Sequence, residues 1–223
     1  MIEPIGEIRT PFPEKFGIPR QSGVVPELEG QIILDKKYRV MEAFRGIEDY
    51  EYLWLLWQFD IPEKEDFTPT VRPPRLGGNT RMGVFATRSP FRPNAIGLSC
   101  VKMQRLEETD EGPILHVSGV DLRDHTKILD IKPYLPYADA HPDARTGFAG
   151  QVVYAQQEVV ADQAVLEGIP KEDAAVIIQL LEQDPRPHYQ QDETRIYGMD
   201  YDRYDVKFKV EDGKIRLLSI KER

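Results

Sequence analysis

Cysteine is nearly missing: Cys100 is the single thiol in 223 residues. One thiol closes no internal disulfide, which fits a reducing compartment, and among the apolar neighbours of GLSCVKM it reads as a small buried hydrophobe. His116, His125, His141 and His188 lack the spacing of a shared ligand set, so no metal centre is expected. Long apolar runs are also missing. The longest, Tyr52 to Trp57, is far too short to cross a bilayer, and MIEPIGEIRTPF has no apolar core of a cleaved signal. A cytoplasmic protein with no membrane contact is expected. There is no G-x-S-x-G elbow, no Gly-Lys-Ser/Thr phosphate loop and no G-x-G-x-x-G opening a helix. A nucleotide-like cofactor would therefore have to be held outside a Rossmann crevice.

The most informative lack is local. No Asp or Glu occurs between Asp66 and Glu107, while that window carries Arg72, Arg75, Arg81, Arg88, Arg92, Lys102 and Arg105, in a chain of net charge -9. A cationic strip on an acidic body steers a polyanion to one face and repels it from the others. The same window is rich in turn formers, among them Pro73, Pro74, Gly77, Gly78, Asn79, Pro90, Pro93 and Asn94. It reads as loop and short strand, with guanidinium groups on a stiff backbone. Arginine suits phosphate and stacks on bases, so Arg72, Arg75, Arg81 and Arg92 are candidate nucleic-acid contacts. The bland alternative is that some of them pair with the chain's own carboxylates.

Along the chain, Pro4 to Thr10 reads as a short strand with Ile5 and Ile8 inward. A Pro- and Gly-rich loop follows to Gly30, then a strand over Gln31 to Leu34 and a short helix over Lys36 to Phe44. Tyr50 to Phe59 is too short for periodicity to separate helix from strand; Asp60-Ile61-Pro62 at its end favours strand. Ala95 to Leu106 and Ile114 to Leu122 read as two strands turned at Gly112-Pro113. Pro133 and Pro136 restrict the next segment to an edge strand or a fixed extended loop. These short strands predict a small β-barrel over 1–150. A second unit, 151–223, is expected to be an αββ appendix: a helical piece over Ala161 to Glu167, a helix over Lys171 to Gln183 restarted by Pro170 with Ala175, Ile178 and Leu180 or Leu181 on one face, and strands in YDVKFKV and KIRLLSI around the Asp212-Gly213 turn. The fold class is mainly β, or α+β.

Asp121 and Asp124 lie in GVDLRD, and Asp130 lies beside Lys132 in LDIKPYLPY. A carboxylate fixed by a Pro-rich backbone can hold a ribose hydroxyl, act as a base, or form a structural ion pair, and the spacing leaves all three open. Asp130 is the candidate proton acceptor, with Asp121 the other. Lys132 and Arg186, in DPRPHY, join the candidate nucleic-acid contacts; Arg186 would serve equally as a cap on the preceding helix's carbonyls.

The segments EKFGIPRQSG, VRPPRLGGNTRMGVFATRSPFRPNAIGLS, DIKPYLPYAD and DPRPHY together resemble the TsaA-like (TrmO) family of tRNA threonylcarbamoyladenosine methyltransferases, over nearly the whole chain. The resemblance implies a non-Rossmann β-barrel that binds S-adenosylmethionine and works as a homodimer. The implied reaction is methylation of the exocyclic nitrogen of threonylcarbamoyladenosine, 3′ of the anticodon in tRNAs reading ACN codons. Carried over by motif, the cofactor contacts are Ser22, Gly23, Val24, Arg88, Leu98, Ser118, Gly119, Val120 and Asp121, with Asp60 and Ile61 matching in type. Two other readings compete: a non-catalytic barrel that reads anticodon loops, and an S-adenosylmethionine-dependent methyltransferase acting on a small molecule or protein. Calorimetry with the cofactor separates the first, and the salt dependence of substrate binding separates the second.

Overall fold

The computed structural model describes residues 2–61, 67–73, 76, 79–150, 156–186 and 194–223. Arg75, Pro74, Gly77, Gly78, Pro187 and His188 lie outside the described residues, as does the segment 151–155 against which the boundary between the two expected units falls.

Six strands close into an antiparallel barrel. They are β1 (Gly6–Arg9), β2 (Glu29–Leu34), β3 (Tyr52–Gln58), β6 (Ile96–Thr109), β7 (Gly112–Ser118) and β8 (Thr126–Pro133), in the circular order β1-β2-β7-β6-β3-β8. Two short strands, β4 (Thr70–Val71) and β5 (Met82–Gly83), form a separate ribbon between β3 and β6 in sequence. The alternation that makes the barrel is visible along β6, where Gly97, Ser99, Val101 and Met103 point inward, and along β3, where Leu53 and Leu55 do. A small barrel is filled by its own side chains. Here Ile8, Ile32, Leu115, Val117 and Ile128 meet Leu53, Leu55 and Val101 at zero exposure. Phe12, Val25, Leu28, Val120 and Leu122 from the loops close one mouth.

Several expectations need correction. The helix over Lys36 to Phe44 is two separate 3-10 turns, Lys36–Tyr38 and Met41–Phe44. The β6–β7 hairpin turns at Asp110 and Glu111, not at Gly112-Pro113, because Thr109 already pairs with Gly112. The segment restricted by prolines contains β8, a strand paired on both sides, to β1 and to β3. Pro133 is its last residue, where a missing N–H costs the ladder little. Pro136 opens a short helix, α1 (Pro136–Asp139), at its first position.

The C-terminal part holds α2 (Gln163–Leu166), α3 (Lys171–Glu182) and a four-stranded sheet in the order β10-β11-β12-β9. The expected strands are β11 (Tyr204–Glu211) and β12 (Lys214–Glu222). To them the structure adds β10 (Tyr197–Tyr201) and β9 (Val159–Ala161), the latter parallel to β12. The buried residues of α3 are Ala174, Val176, Ile177, Leu180 and Leu181; Leu180 and Leu181 are as expected, but Ala175 is exposed and Ile178 only partly buried, so the first part of the expected face is one residue out of phase. The Pro/Gly-rich loop from Thr10 to Leu28 is the seam between sheet and barrel. Phe12 meets Tyr201 edge-on at 6.0 Å, Phe16 stacks on Phe208 at 6.4 Å, and the Asp202 amide donates to the Pro11 carbonyl at 2.6 Å.

A rim site built on Asp121

β6 is longer than its neighbour. β7 ends at Ser118, opposite Lys102, while β6 continues toward Ile96 on β3 alone. That leaves an open β6 edge at one rim of the barrel, and the loop after Arg20 fills it. The Cys100 amide donates to Ser22 Oγ at 3.0 Å, and the Gly23 amide donates to the Gly119 carbonyl at 2.8 Å. Gly23 and Gly119 both have positive φ, and a Cβ on Gly119 would stand 3.2 Å from the Gly23 Cα. The two loops meet back to back because Gly119 carries no side chain there, while glycine at 23 serves the positive φ of its own turn.

Beneath this contact lies a buried polar relay. Trp57 Nε1 donates to Ser99 Oγ at 2.9 Å, and Ser99 Oγ donates to Asp121 Oδ1 at 2.6 Å. Burial pushes the Asp121 carboxyl up to about 6, against the opposing pull of the Ser99 hydroxyl, the backbone amides of Asp121 and Ser22, and the Arg88 charge. Arg88 reaches the same place from above, its Nη1 donating to Gln21 Oε1. Ser118 is buried and accepts from Gln104 Nε2 at 2.6 Å, and Val120 is buried in the mouth.

Asp60 and Ile61 follow β3 at the same rim. Asp60 Oδ2 pairs with Arg123 at 2.6 Å, and Lys15 Nζ donates to the Asp60 carbonyl at 2.8 Å. Leu98, 53% exposed, stands on the outer wall of β6. It pairs with Leu56, which pairs with Asp130 on β8, so Leu98, Leu56 and Asp130 form one outward row. The row spans two strand spacings, about 10 Å. Asp130 is ion-paired with Lys132 at 2.8 Å and accepts from the Ile131 amide at 2.9 Å.

The structure thus brings Ser22, Gly23, Val24, Asp60, Ile61, Arg88, Leu98, Ser118, Gly119, Val120 and Asp121 to one rim and its adjoining wall. The cations are dispersed. Arg72 and Arg81 are exposed, and Arg81 Nη1 donates to Thr70 Oγ1 at 3.3 Å. Arg92 turns inward, its Nη1 donating to the carbonyls of Val84, Thr87 and Ser89 at 3.4, 2.8 and 3.3 Å, so it organises the loop that carries Arg88. Arg186 makes a two-pronged pair with Asp184 at 2.7 and 2.9 Å, the two side chains 15% and 12% exposed. Arg20 Nη2 donates to the carbonyls of Asp184 and Arg186, both at 3.3 Å, which ties the C-terminal unit to the loop holding Gln21 and Ser22. Among the described residues, none of Arg72, Arg81, Arg88 and Arg92 lies in ion-pair contact with a carboxylate, whereas Lys102 and Arg105 do, with Glu51 and Glu107.

Sequence reasoning missed Ser99, Trp57 and Gln21. Ser99 had a signal: it is a polar residue at an inward position of a strand otherwise filled with apolar or small side chains, and a buried hydroxyl needs a partner. Among the described residues, no cluster of His, Cys, Asp and Glu is disposed to hold a metal, and no helix is long and apolar enough to cross a membrane.

Fold and site define a small closed antiparallel barrel whose polar chemistry is gathered at one rim by two apposed loops. Comparison with known proteins places that architecture. The chain belongs to the TrmO family: the tRNA-methyltransferase O N-terminal domain matches residues 7–140 and the TrmO C-terminal domain matches residues 152–223. It is 39% identical over 229 residues to the tRNA (adenine(37)-N6)-methyltransferase of Escherichia coli K12, covering 99% of this chain and 97% of that protein. It is 45% identical over 164 residues to the enzyme of the same name from Eikenella corrodens, covering 74% and 93%. A crystal structure of TrmO from Pseudomonas aeruginosa superposes with a TM-score of 0.80 at 34% identity, over 100% of this chain and 97% of that one.

Proposed function

We propose that this chain methylates N6 of adenine 37 in tRNA with S-adenosylmethionine as the donor, and that the target is the threonylcarbamoyl form of that base in ACN-reading tRNAs. Relatives carry the adenine(37)-N6 name from bacteria to mouse, and the names of others specify S-adenosylmethionine dependence. The observation that carries the reading is the rim itself, where Ser99 binds Asp121, Ser22 Oγ takes the Cys100 amide and Arg88 donates to neighbouring Gln21, beside an arginine segment free of carboxylate partners among the described residues.

The rim fits the donor chemically. A buried carboxylate suits hydroxyl or ammonium groups, a guanidinium suits a carboxylate, and exposed Leu98 and Val24 offer apolar surface. Asp121, Arg88 and the backbone of 22–24 and 118–121 would hold the cofactor, which supplies a methyl group on a sulfonium. The chain's own contribution is orientation. The target nitrogen is a poor nucleophile because its lone pair is delocalised, so alignment can supply roughly 7–11 kcal/mol in favourable cases. Asp130, on the wall beside Leu56 and Leu98, takes the proton, with Lys132 setting its position. Arg72, Arg75 and Arg81 hold the phosphate backbone of the anticodon loop.

Residues 1–150 act as the cofactor-binding unit and 151–223 as its brace. The protein works in the cytoplasm as a homodimer. The test is incubation with tRNA and S-adenosylmethionine, digestion to nucleosides and mass analysis. Methylated threonylcarbamoyladenosine is the expected product, and its absence sinks the reading. Asp130→Asn should abolish turnover with cofactor affinity nearly intact; lost affinity would move Asp130 into the binding site.

A further inference from the structure

Phe85 and Phe67 are out of place on this surface. They are 72% and 56% exposed, yet their rings stack on each other at 6.2 Å and 26°. Neither is a loose end. Val84 is buried and its amide donates to the Pro69 carbonyl at 2.9 Å. Thr70 pairs with Gly83, so the β4–β5 ribbon presents both rings at one end. The Arg92 guanidinium lies 5.9 Å from the Phe85 ring centre, held by the three carbonyls described above. The ring pair is thus fixed in place and left uncovered.

The charge around it says what covers it. Arg72 and Arg81 adjoin the ribbon and Arg88 follows it in sequence; all three are exposed, and none is in ion-pair contact with a carboxylate among the described residues. Phe85 precedes Arg88 by three residues, so their Cα atoms are at most about 11 Å apart. Arg88 in turn touches Gln21, beside the loop that meets Asp121. An exposed aromatic pair with the Arg92 guanidinium against it and Arg81 reaching back along the same ribbon to Thr70 matches one kind of partner: an unpaired RNA base with its phosphates. Such bases stack on aromatic side chains because every base has a π-face.

We propose that Phe85, backed by Phe67 and Arg92, is the stacking platform for an unpaired base of the tRNA loop next to the target adenine. The inference rests on the functional reading above. It assigns to Phe85 a binding role for tRNA and none for the cofactor.

The test compares wild type with Phe85→Ala, Phe85→Leu and Phe85→Trp in steady-state methyl transfer to tRNA, with sedimentation of each variant. Stacking losses of the usual size raise KM for tRNA about tenfold in Phe85→Ala. Phe85→Leu keeps the apolar bulk and loses the π-face, so it should track Phe85→Ala. Phe85→Trp should restore KM, and its added fluorescence should be quenched by tRNA beyond any change in wild type. Affinity for S-adenosylmethionine should be the same in all four proteins. An unchanged KM in Phe85→Ala, full rescue by Phe85→Leu, or a shift of oligomeric state in Phe85→Ala overturns the platform, the last by making the patch a contact between copies of the chain. Wild-type turnover separates the two levels. No methylated tRNA from wild type removes the functional reading and this inference together, whereas product from wild type with an unaffected Phe85→Ala removes this inference alone.

Discussion

Ser99 donates its hydroxyl to Asp121 across 2.6 Å, from an inward position on β6 to a carboxylate on the loop after β7. The bond joins barrel wall to rim loop, and it holds a carboxylate whose burial would otherwise push its proton affinity higher still.

A pH dependence of stability follows. The folded Asp121 carboxyl titrates at about 6, above its ordinary 3.8, so the folded chain holds this proton more tightly than the unfolded one. The resulting stability is fully present below about pH 3.8 and is lost as the pH rises through about 6, roughly 3 kcal/mol for a gap of this size. Asp121→Asn should remove this component and flatten the urea-unfolding profile between pH 4 and 7. The same variant should weaken cofactor binding at pH 7.5, and equal binding by wild type and variant would take Asp121 out of the proposed site.

Gly97 is pinned by Trp57. A Cβ at position 97 would overlap the indole, which lies over Gly97 in the register pair Trp57–Gly97. Gly97→Ala should therefore displace the ring and break the Trp57–Ser99–Asp121 relay, costing about 1–3 kcal/mol by overpacking. Thermal unfolding reads the cost and tryptophan emission reads the displacement. A variant with native melting temperature and native emission would mean that the wall yields without strain.

Arg186 is committed inside the protein. Removing one partner of a fully buried pair typically costs about 3–5 kcal/mol; this pair is part-buried, so Arg186→Ala should lower the denaturation midpoint by a smaller but clear amount. It should also loosen the Arg20 anchor and weaken cofactor binding at a distance. Arg186→Lys should recover little, because a lysine cannot make the two-pronged contact. The salt dependence of tRNA binding should stay unchanged, and a reduced slope would instead make Arg186 a phosphate contact.

Arg81 should behave in the opposite way. It is exposed and bonds only to Thr70 Oγ1 among the described residues. Arg81→Ala should leave the melting temperature within the range of ordinary surface substitutions and lower the slope of log affinity against log salt by about one. An unaltered slope would remove it from the tRNA surface.

Much of the architecture was legible because it is local. The stop at Asp60-Ile61-Pro62 marks Tyr50 to Phe59 as a strand, turn signals bound the strand read over Ala95 to Leu106, and the carboxylate-free run between Asp66 and Glu107 marks a concentration of cations before any folding is considered. Short-range chemistry also misled. Pro133 and Pro136 signalled an edge or loop, but a proline at the end of a strand or the start of a helix disturbs neither element.

The sequence by itself determined where most of the barrel strands lie and where the cations concentrate, since each depends on neighbours within a few residues. Only the tertiary structure decided that Ser99 meets Asp121, that Arg20 holds the carbonyls of Asp184 and Arg186, and that of the arginines in one segment Arg92 turns inward while Arg81 stays out. Those pairings arise when the barrel closes and β6 outruns β7, leaving an edge that one particular loop must cover. Such a constraint acts between residues distant along the chain, where side-chain periodicity carries no information.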